Sequence, residues 1–239
     1  MRILEGQKVT KHFGGLAAVN SVDFAIDQGE VVGLIGPNGA GKTTLFNLIS
    51  GSLPTTAGEV RYKGKKITGL KPYQICKKGV ARTFQSSKLF AGMTVFENAL
   101  AASLFGTKRD ISVADAEKEA KELLEFVELS TVEAVPAKDL PIAHRKRLEV
   151  ARALATKPDL LMFDEVMAGL NPAEVAQAMG LITKIRNKGI TIFMIEHVMK
   201  AIMNICDRII VLHHGSKIAE GTPEEIATSQ TVVEVYLGE

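Results

Sequence analysis

Residues Val31-Val32-Gly33-Leu34-Ile35-Gly36-Pro37-Asn38-Gly39-Ala40-Gly41-Lys42-Thr43-Thr44 carry the reading that decides the fold. Val31–Ile35 is an apolar run of strand length. It breaks into a glycine-rich turn, and the residues from Lys42 to Ser50 then follow a helical pattern. A buried strand feeding a helix in this way belongs to a parallel sheet covered on both faces. Gly36 to Thr43 also fits the phosphate-loop pattern, Gly, four residues, Gly-Lys-Ser/Thr, at every fixed position. The residue types suit a bound triphosphate. Glycines let backbone N–H groups close around phosphate oxygens, and the following helix points its positive dipole end at the same place. Lys42 supplies a mobile positive charge for the outer phosphates, Thr43 offers a hydroxyl to Mg2+, and Thr44 extends the same phosphate-facing turn.

Leu160-Leu-Met-Phe163, Ile190–Ile195 and Arg208–Leu212 read as further buried strands, the last closed by His213-His214-Gly215. The first of these ends in two carboxylates. Asp164, at the strand tip, is placed to hold Mg2+ through its water shell, and Glu165 to polarise an attacking water. From about Val95 to Thr156 the pattern is mainly helical, with Ala120, Leu123, Leu124 and Val127 as the apolar stripe of a helix over Ala114–Leu129. Residues 1–30 and 58–68 show short alternating segments with glycine turns, which predicts antiparallel strands. Asn171-Pro172-Ala173-Glu174 and Thr222-Pro223-Glu224-Glu225 each place a cap, a proline at the first helical position and an acid at the third. The expected fold is α/β: a phosphate-loop core with a mainly parallel sheet, an N-terminal antiparallel β subdomain and an inserted helical subdomain. The chain forms one domain, with residues 1–87 and 158–239 as core and β subdomain and about 88–157 as the helical insertion.

The bulk composition fits this picture. The 239 residues are 46% hydrophobic and 23% charged, ordinary for a globular chain with a sizeable core. A net charge of +2 gives no electrostatic case for nucleic acid as a partner. Cys76 and Cys206 lie far apart, have no metal or redox spacing, and read as small buried hydrophobes in a reducing compartment. The segment opening at Met1 lacks the apolar core of a signal peptide, and no apolar run approaches the ~18–20 residues that span a bilayer. A membrane role therefore has to run through a partner.

The order of these motifs resembles the nucleotide-binding subunits of ATP-binding cassette (ABC) transporters over essentially the whole chain. On that resemblance Gly36–Thr43 looks like the Walker A loop, and Leu160–Asp164 with Glu165 looks like Walker B and the catalytic glutamate. Gln85, in Ala81-Arg-Thr-Phe-Gln85, looks like the glutamine that touches Mg2+ or the water and faces the membrane partner. His197 looks like the histidine that binds the γ-phosphate. Phe13 sits where the family stacks an aromatic on adenine, and Ala168-Gly169-Leu170-Asn171 resembles the D-loop, with Asn where Asp is usual. Finer stretches look like ATPase subunits of branched-chain amino acid importers: Phe13–Val19, Arg82–Gln85, Met93–Asn98 and Tyr236–Glu239. The lipopolysaccharide-export ATPase is similar, and a soluble, non-transport cassette is the rival from another class. The resemblance implies ATP and Mg2+, transmembrane permease subunits, a second cassette as homo- or heterodimer, indirectly a solute-binding protein, and a place at the cytoplasmic face of the membrane.

One motif departs from the family. The signature Leu-Ser-Gly-Gly-Gln, which completes the partner cassette's ATP site, reads here Leu140-Pro141-Ile142-Ala143-His144, as a loop before a helix over about 145–154. Pro141 has neither hydroxyl nor N–H, and Ile142 and Ala143 add side chains where close backbone approach is needed. A lost donor at a developing charge costs about 2.7–4 kcal/mol. The expectation is therefore asymmetry: an intact site of its own, and a weak contribution to its partner's. Val166 and Met167 also replace the family's usual proline and small residue.

Overall fold

The computed structural model describes residues 1–84, 88–106 and 111–237. The chain opens with a long hairpin, β1 (Arg2–Phe13) and β2 (Leu16–Asp27), followed by β3 (Val31–Ile35) and α1 (Lys42–Ile49). Next come β4 (Ala57–Tyr62), β5 (Lys65–Lys66), the short α2 (Pro72–Cys76) and β6 (Val80–Arg82). Three helices form the insertion: α3 (Val95–Phe105), α4 (Val113–Phe126) and α5 (Ile142–Ala155). The chain then returns through β7 (Leu160–Asp164), α6 (Pro172–Asn187), β8 (Thr191–Ile195), α7 (Met199–Ile205), β9 (Arg208–His213) and β10 (Ser216–Gly221). It closes with α8 (Pro223–Thr228) and α9 (Gln230–Leu237).

Two sheets result. One is antiparallel, in the order β2-β1-β4-β5; the other runs β10-β9-β3-β8-β7-β6. In the second, β9, β3, β8, β7 and β6 are mutually parallel and β10 is an antiparallel edge. Side chains alternate across its central strands, as the strand period requires. Val31, Ile35, Leu161, Phe163, Ile192, Met194, Ile209 and Val211 enter one core, with the helical insertion. Val32, Leu34, Leu160, Met162, Phe193, Ile195, Ile210 and Leu212 enter another, where α1 meets the antiparallel sheet through Leu45, Phe46, Phe24 and Ile26. Burial on both faces explains why these strands read as continuous apolar runs.

The expected architecture is present, with instructive differences in detail. The α4 helix ends at Phe126 rather than Leu129: Glu128 takes a left-handed φ of 61°, and Val127 and Leu129 stay buried beyond the helix end. β6 has three residues, too few to show a period, and β10 is a polar edge strand. The α5 helix starts at Ile142, so Ile142, Ala143 and His144 are its first turn, not a loop ahead of it. Pro141 is the cap, extended at φ −57° and ψ 158°; a proline ring fixes this φ, which launches the helix three residues early. Both cysteines are free thiols. Burial pushes Cys206 up to about 12 and also raises Cys76, although Cys76 is only half-buried. No helix among the described residues is long and apolar enough to cross a membrane.

The two capped helices form as their sequences direct. Asn171 accepts hydrogen bonds from Ala173 N–H and Glu174 N–H, both at 3.0 Å, while Glu174 accepts from Asn171 N–H at 2.9 Å. Thr222 and Glu225 repeat the arrangement on α8. Replacing an Asn cap by Ala removes about 1 kcal/mol, whereas Asp caps equally well. Asn171→Ala should therefore lower the unfolding free energy from a urea titration by about 1 kcal/mol, and Asn171→Asp should hold it within a few tenths of a kcal/mol; an unchanged value for the alanine variant contradicts the assignment.

Candidate active site

All five parallel strands end at the same edge of the sheet. Gly36 follows β3, Glu196 and His197 follow β8, and Asp164 and Glu165 close β7. β8 lies between β3 and β7, so the two motifs stand about 10 Å apart, two strand spacings. This is the crevice where open α/β sheets bind ligands.

The phosphate loop wraps the N-terminus of α1. Gly36 has φ 149° and Gly41 has φ 99°, conformations that side chains rarely adopt. A Cβ at Gly36 would strike the carbonyl oxygen of Leu212 at the end of β9, and one at Gly41 would strike that of Ala18 in β2. Ala40 is buried beneath the turn, and its carbonyl accepts from Gly215 N–H at 3.1 Å. The buried Lys42 ammonium donates to the carbonyls of Gly36 (2.5 Å) and Pro37 (2.8 Å), spanning the turn. Asn38, Gly39 and Thr43 are exposed, and Thr44 is half-buried. No acid occupies the first turn of α1, so nothing in the helix offsets its dipole there.

Asp164 is buried. Its Oδ2 accepts from Arg82 Nη2 at 2.6 Å, and its own N–H donates to Thr83 Oγ1 at 3.2 Å. Its Oδ1 is buried with no hydrogen-bond partner among the described residues. A buried acceptor left in this way is costly unless a ligand completes it, and a hard cation suits a lone carboxylate oxygen. The arrangement thus fits Mg2+. Arg82 also donates to Asn47 Oδ1 (2.7 Å) on α1 and to Ser50 Oγ (2.9 Å) at its C-cap, and lies against the rings of Phe46 and Phe84. It joins β6, α1 and the strand-tip carboxylate, a role the sequence hides because the three partners lie 32 to 82 residues away.

Glu165 has φ 55°, a left-handed backbone that costs a side-chain-bearing residue roughly 1–2 kcal/mol. Its N–H donates to Ile195 O at 2.9 Å, and its carbonyl accepts from Lys146 Nζ at 3.0 Å and from Ala168 N–H at 3.2 Å. Its Oε1 lies 2.9 Å from His197 Nε2. The structure therefore brings Glu165 and His197 together. Glu196 is buried beside them and accepts from Met167 N–H at 2.8 Å. Val166 and Met167 turn inward into the core, which is where their bulk goes.

Phe13 is exposed at the end of β1, with Lys11 Nζ 5.1 Å from its ring centre, and pairs with Leu16 in the hairpin whose second strand abuts the phosphate loop. Ala168 and Gly169 are exposed and Leu170 half-buried on the way to the Asn171 cap. Leu140 is buried, and Ile142 is exposed at the tip of α5. That tip has no side-chain cap and no acid in its first turn. Gln85 lies outside the described residues.

Burial pushes the Glu196 carboxyl up to about 7, and the neighbouring Glu165 carboxylate adds to the rise against the N–H groups of Met167 and His197 and the Lys146 ammonium. A carboxyl held above its unfolded value of 4.5 favours the native state only while protonated. As pH climbs through the window from 4.5 to about 7, Glu196 loses stabilising effect, on the order of 3 kcal/mol in full. Glu196→Gln removes this dependence and keeps an acceptor for Met167. Thermal melts should show the variant gaining on the wild type between about pH 5 and pH 8; an equal difference at both contradicts the burial argument.

The family described as ABC transporter matches residues 19–168, and the family described as branched-chain amino acid ATP-binding cassette transporter matches residues 216–239. The chain is 42% identical to the high-affinity branched-chain amino acid transport ATP-binding protein BraF of Pseudomonas aeruginosa, over 99% of this chain and 98% of that protein. It is 43% identical to LivG of Escherichia coli, of the same description, over 95% and 94%. It is 32% identical to the lipopolysaccharide export system ATP-binding protein LptB of Haemophilus influenzae, over 100% and 98%. A solved ATP-binding cassette of an ABC transporter, in its ADP conformation, superposes with a TM-score of 0.90 at 34% identity over the whole of both chains. With a glycine turn shaped for phosphate, an orphaned strand-tip carboxylate oxygen and these likenesses over its full length, the chain belongs to the ATP-binding cassette family of transporter ATPases.

Proposed function

We propose that this ATPase energises a membrane transporter for branched-chain amino acids, working at the cytoplasmic face of the membrane on permease subunits that a solute-binding protein supplies. The observation that carries the catalytic part is the Asp164 carboxylate: one oxygen held by Arg82, the other buried with no hydrogen-bond partner among the described residues, two strands from the phosphate loop. The transport part rests on relatives. The two described as branched-chain amino acid transport proteins share 42% and 43% identity, against 32% for the lipopolysaccharide-export protein, and the C-terminal match from 216 to 239 points the same way.

The chain's own groups divide the work. The N–H groups from Asn38 to Thr44, at the N-terminal end of α1, bind the triphosphate of ATP with Gly36 and Pro37 shaping the turn, and Phe13 offers its exposed ring to the base. Lys42 exchanges its two carbonyl partners for phosphate oxygens. Thr43 and Asp164 would hold Mg2+, which neutralises charge on the outer phosphates. Glu165 accepts the proton of the attacking water, and His197, in contact with it, keeps that carboxylate aligned and meets the γ-phosphate. Gln85 is assigned to the metal and the permease side by resemblance alone.

A second cassette would close the site. The first turn of α5 keeps free amide groups at its tip, so the helix dipole still reaches a partner's phosphate, but Pro141 brings no hydroxyl. That supports a site contribution that is reduced rather than abolished. For the permease, an open and mainly apolar cavity of about 470 Å³ lies between α2, β6, α3 and α5. The exposed rings of Tyr73, Phe90 and Phe105 line it, with Arg152 stacked on Phe90 at 4.7 Å. An amphipathic helix of the membrane subunit fits such a groove.

Lys42→Ala should abolish tight ATP binding in a titration. Glu165→Gln should bind ATP normally while turnover falls about 10²- to 10⁴-fold; a variant with normal phosphate release removes the assigned base. For the pairing, ATP turnover of the purified chain should rise when its paired ATPase is added. Equal, vigorous turnover by the chain alone would defeat the asymmetry.

A further inference from the structure

Lys146 stands out among the groups that the mechanism does not use. It sits in the second turn of α5, four residues after Ile142, so both project from the same helix face. It is half-buried and reaches across to the β7–α6 turn, where its ammonium donates to the carbonyl of Glu165 at 3.0 Å. Glu165 is the residue of that turn with a left-handed backbone. Two further bonds hold the same turn from the β8 side: Glu165 N–H to Ile195 O at 2.9 Å and Met167 N–H to Glu196 Oε1 at 2.8 Å.

We propose that Lys146 is a positioning residue for Glu165, tying the proposed base to the helix whose tip is Pro141–His144. The inference rests on the reading of Glu165 as base. Of the three supports, those from β8 come from the sheet that also carries the phosphate loop and move with it. Lys146 alone comes from the helical insertion. A shift of α5, such as contact of its tip with a partner's nucleotide, therefore pulls on the carbonyl of Glu165 and redirects its side chain relative to His197. The chain's own hydrolysis is in this way conditioned on what its α5 tip touches. The interaction asks for a cationic N–H donor on a long stem; Arg supplies one from its guanidinium fork, and Met approximates the length without the donor.

The test is steady-state Mg–ATP turnover by the full chain with its paired ATPase, for wild type, Lys146→Met, Lys146→Arg and Glu165→Gln. Lys146→Met should lower kcat about 10- to 100-fold, the size of a misplaced catalytic group, with KM for ATP and the melting temperature close to wild type. Lys146→Arg should restore most of kcat, and Lys146→Met should add no further loss in the Glu165→Gln background. Should the Met variant not fold, Lys146→Ser, polar but too short to reach, replaces it. Normal kcat in the Met or Ser variant beside a dead Glu165→Gln overturns the inference and leaves the base intact. Full turnover by Glu165→Gln overturns the base itself. A loss of kcat that tracks a fall in melting temperature and is not rescued by Arg shows packing rather than positioning, and likewise overturns it.

Discussion

Two carbonyl oxygens, of Ala18 and Leu212, leave the phosphate loop no room for side chains at Gly41 and Gly36. That close approach is the constraint on which the rest of the site depends. It presses the turn between the end of β9 and the start of β2, so one glycine-rich segment joins the parallel and antiparallel sheets. With no side chain at Gly36, Gly39 or Gly41, backbone amide groups over the N-terminal end of α1 can meet oxygens of an anion directly. A methyl group at Gly41 would press on the antiparallel sheet, and one at Gly36 on the end of β9 within the parallel sheet.

The second organising feature is how charge is buried along the strand edge. Asp164 and Arg82 form an ion pair at 2.6 Å with both side chains almost wholly enclosed. Removing one member of such a pair leaves an uncompensated charge and costs about 3–5 kcal/mol. The guanidinium's further bonds to Asn47 and Ser50 tie that cost to α1 and its C-cap, so the helix behind the phosphate loop and the strand-tip carboxylate are coupled. Beside them Glu196, raised by burial to about 7, buys a hydrogen bond to the turn after Glu165 at the expense of stability in neutral solution. Such local expense is characteristic of functional sites.

Much of this was legible in the sequence, and the reasons are physical. Strands buried on both faces must be continuously apolar, so β3, β7, β8 and β9 announce themselves. Asn171 and Thr222 mark their helices because capping is local chemistry. Gly36 to Thr43, Asp164 and Glu165 follow from spacing within short segments. What escaped was long-range or dictated by backbone shape. Arg82 meets Asp164 across 82 positions, and Lys146 meets Glu165 across 19, neither with any local pattern. The left-handed backbone of Glu165 carries no glycine to betray it. The α5 helix begins earlier than its composition suggests because a proline can start a helix as readily as it stops one, and the residues from Ile142 to His144 carry no cap signal of their own.

The central claim is that main-chain amides around Lys42 grip a triphosphate while the buried Oδ1 of Asp164 faces its metal. A crystal structure with Mn2+ and a non-hydrolysable ATP analogue tests it most directly. The account predicts the phosphates lying across the N-terminus of α1, Lys42 turned from the carbonyls of Gly36 and Pro37 onto them, and the metal between Thr43 and Asp164 with Glu165 facing the γ-phosphate. Nucleotide bound away from that turn, or metal held by Glu196 with Asp164 still bare, would contradict it.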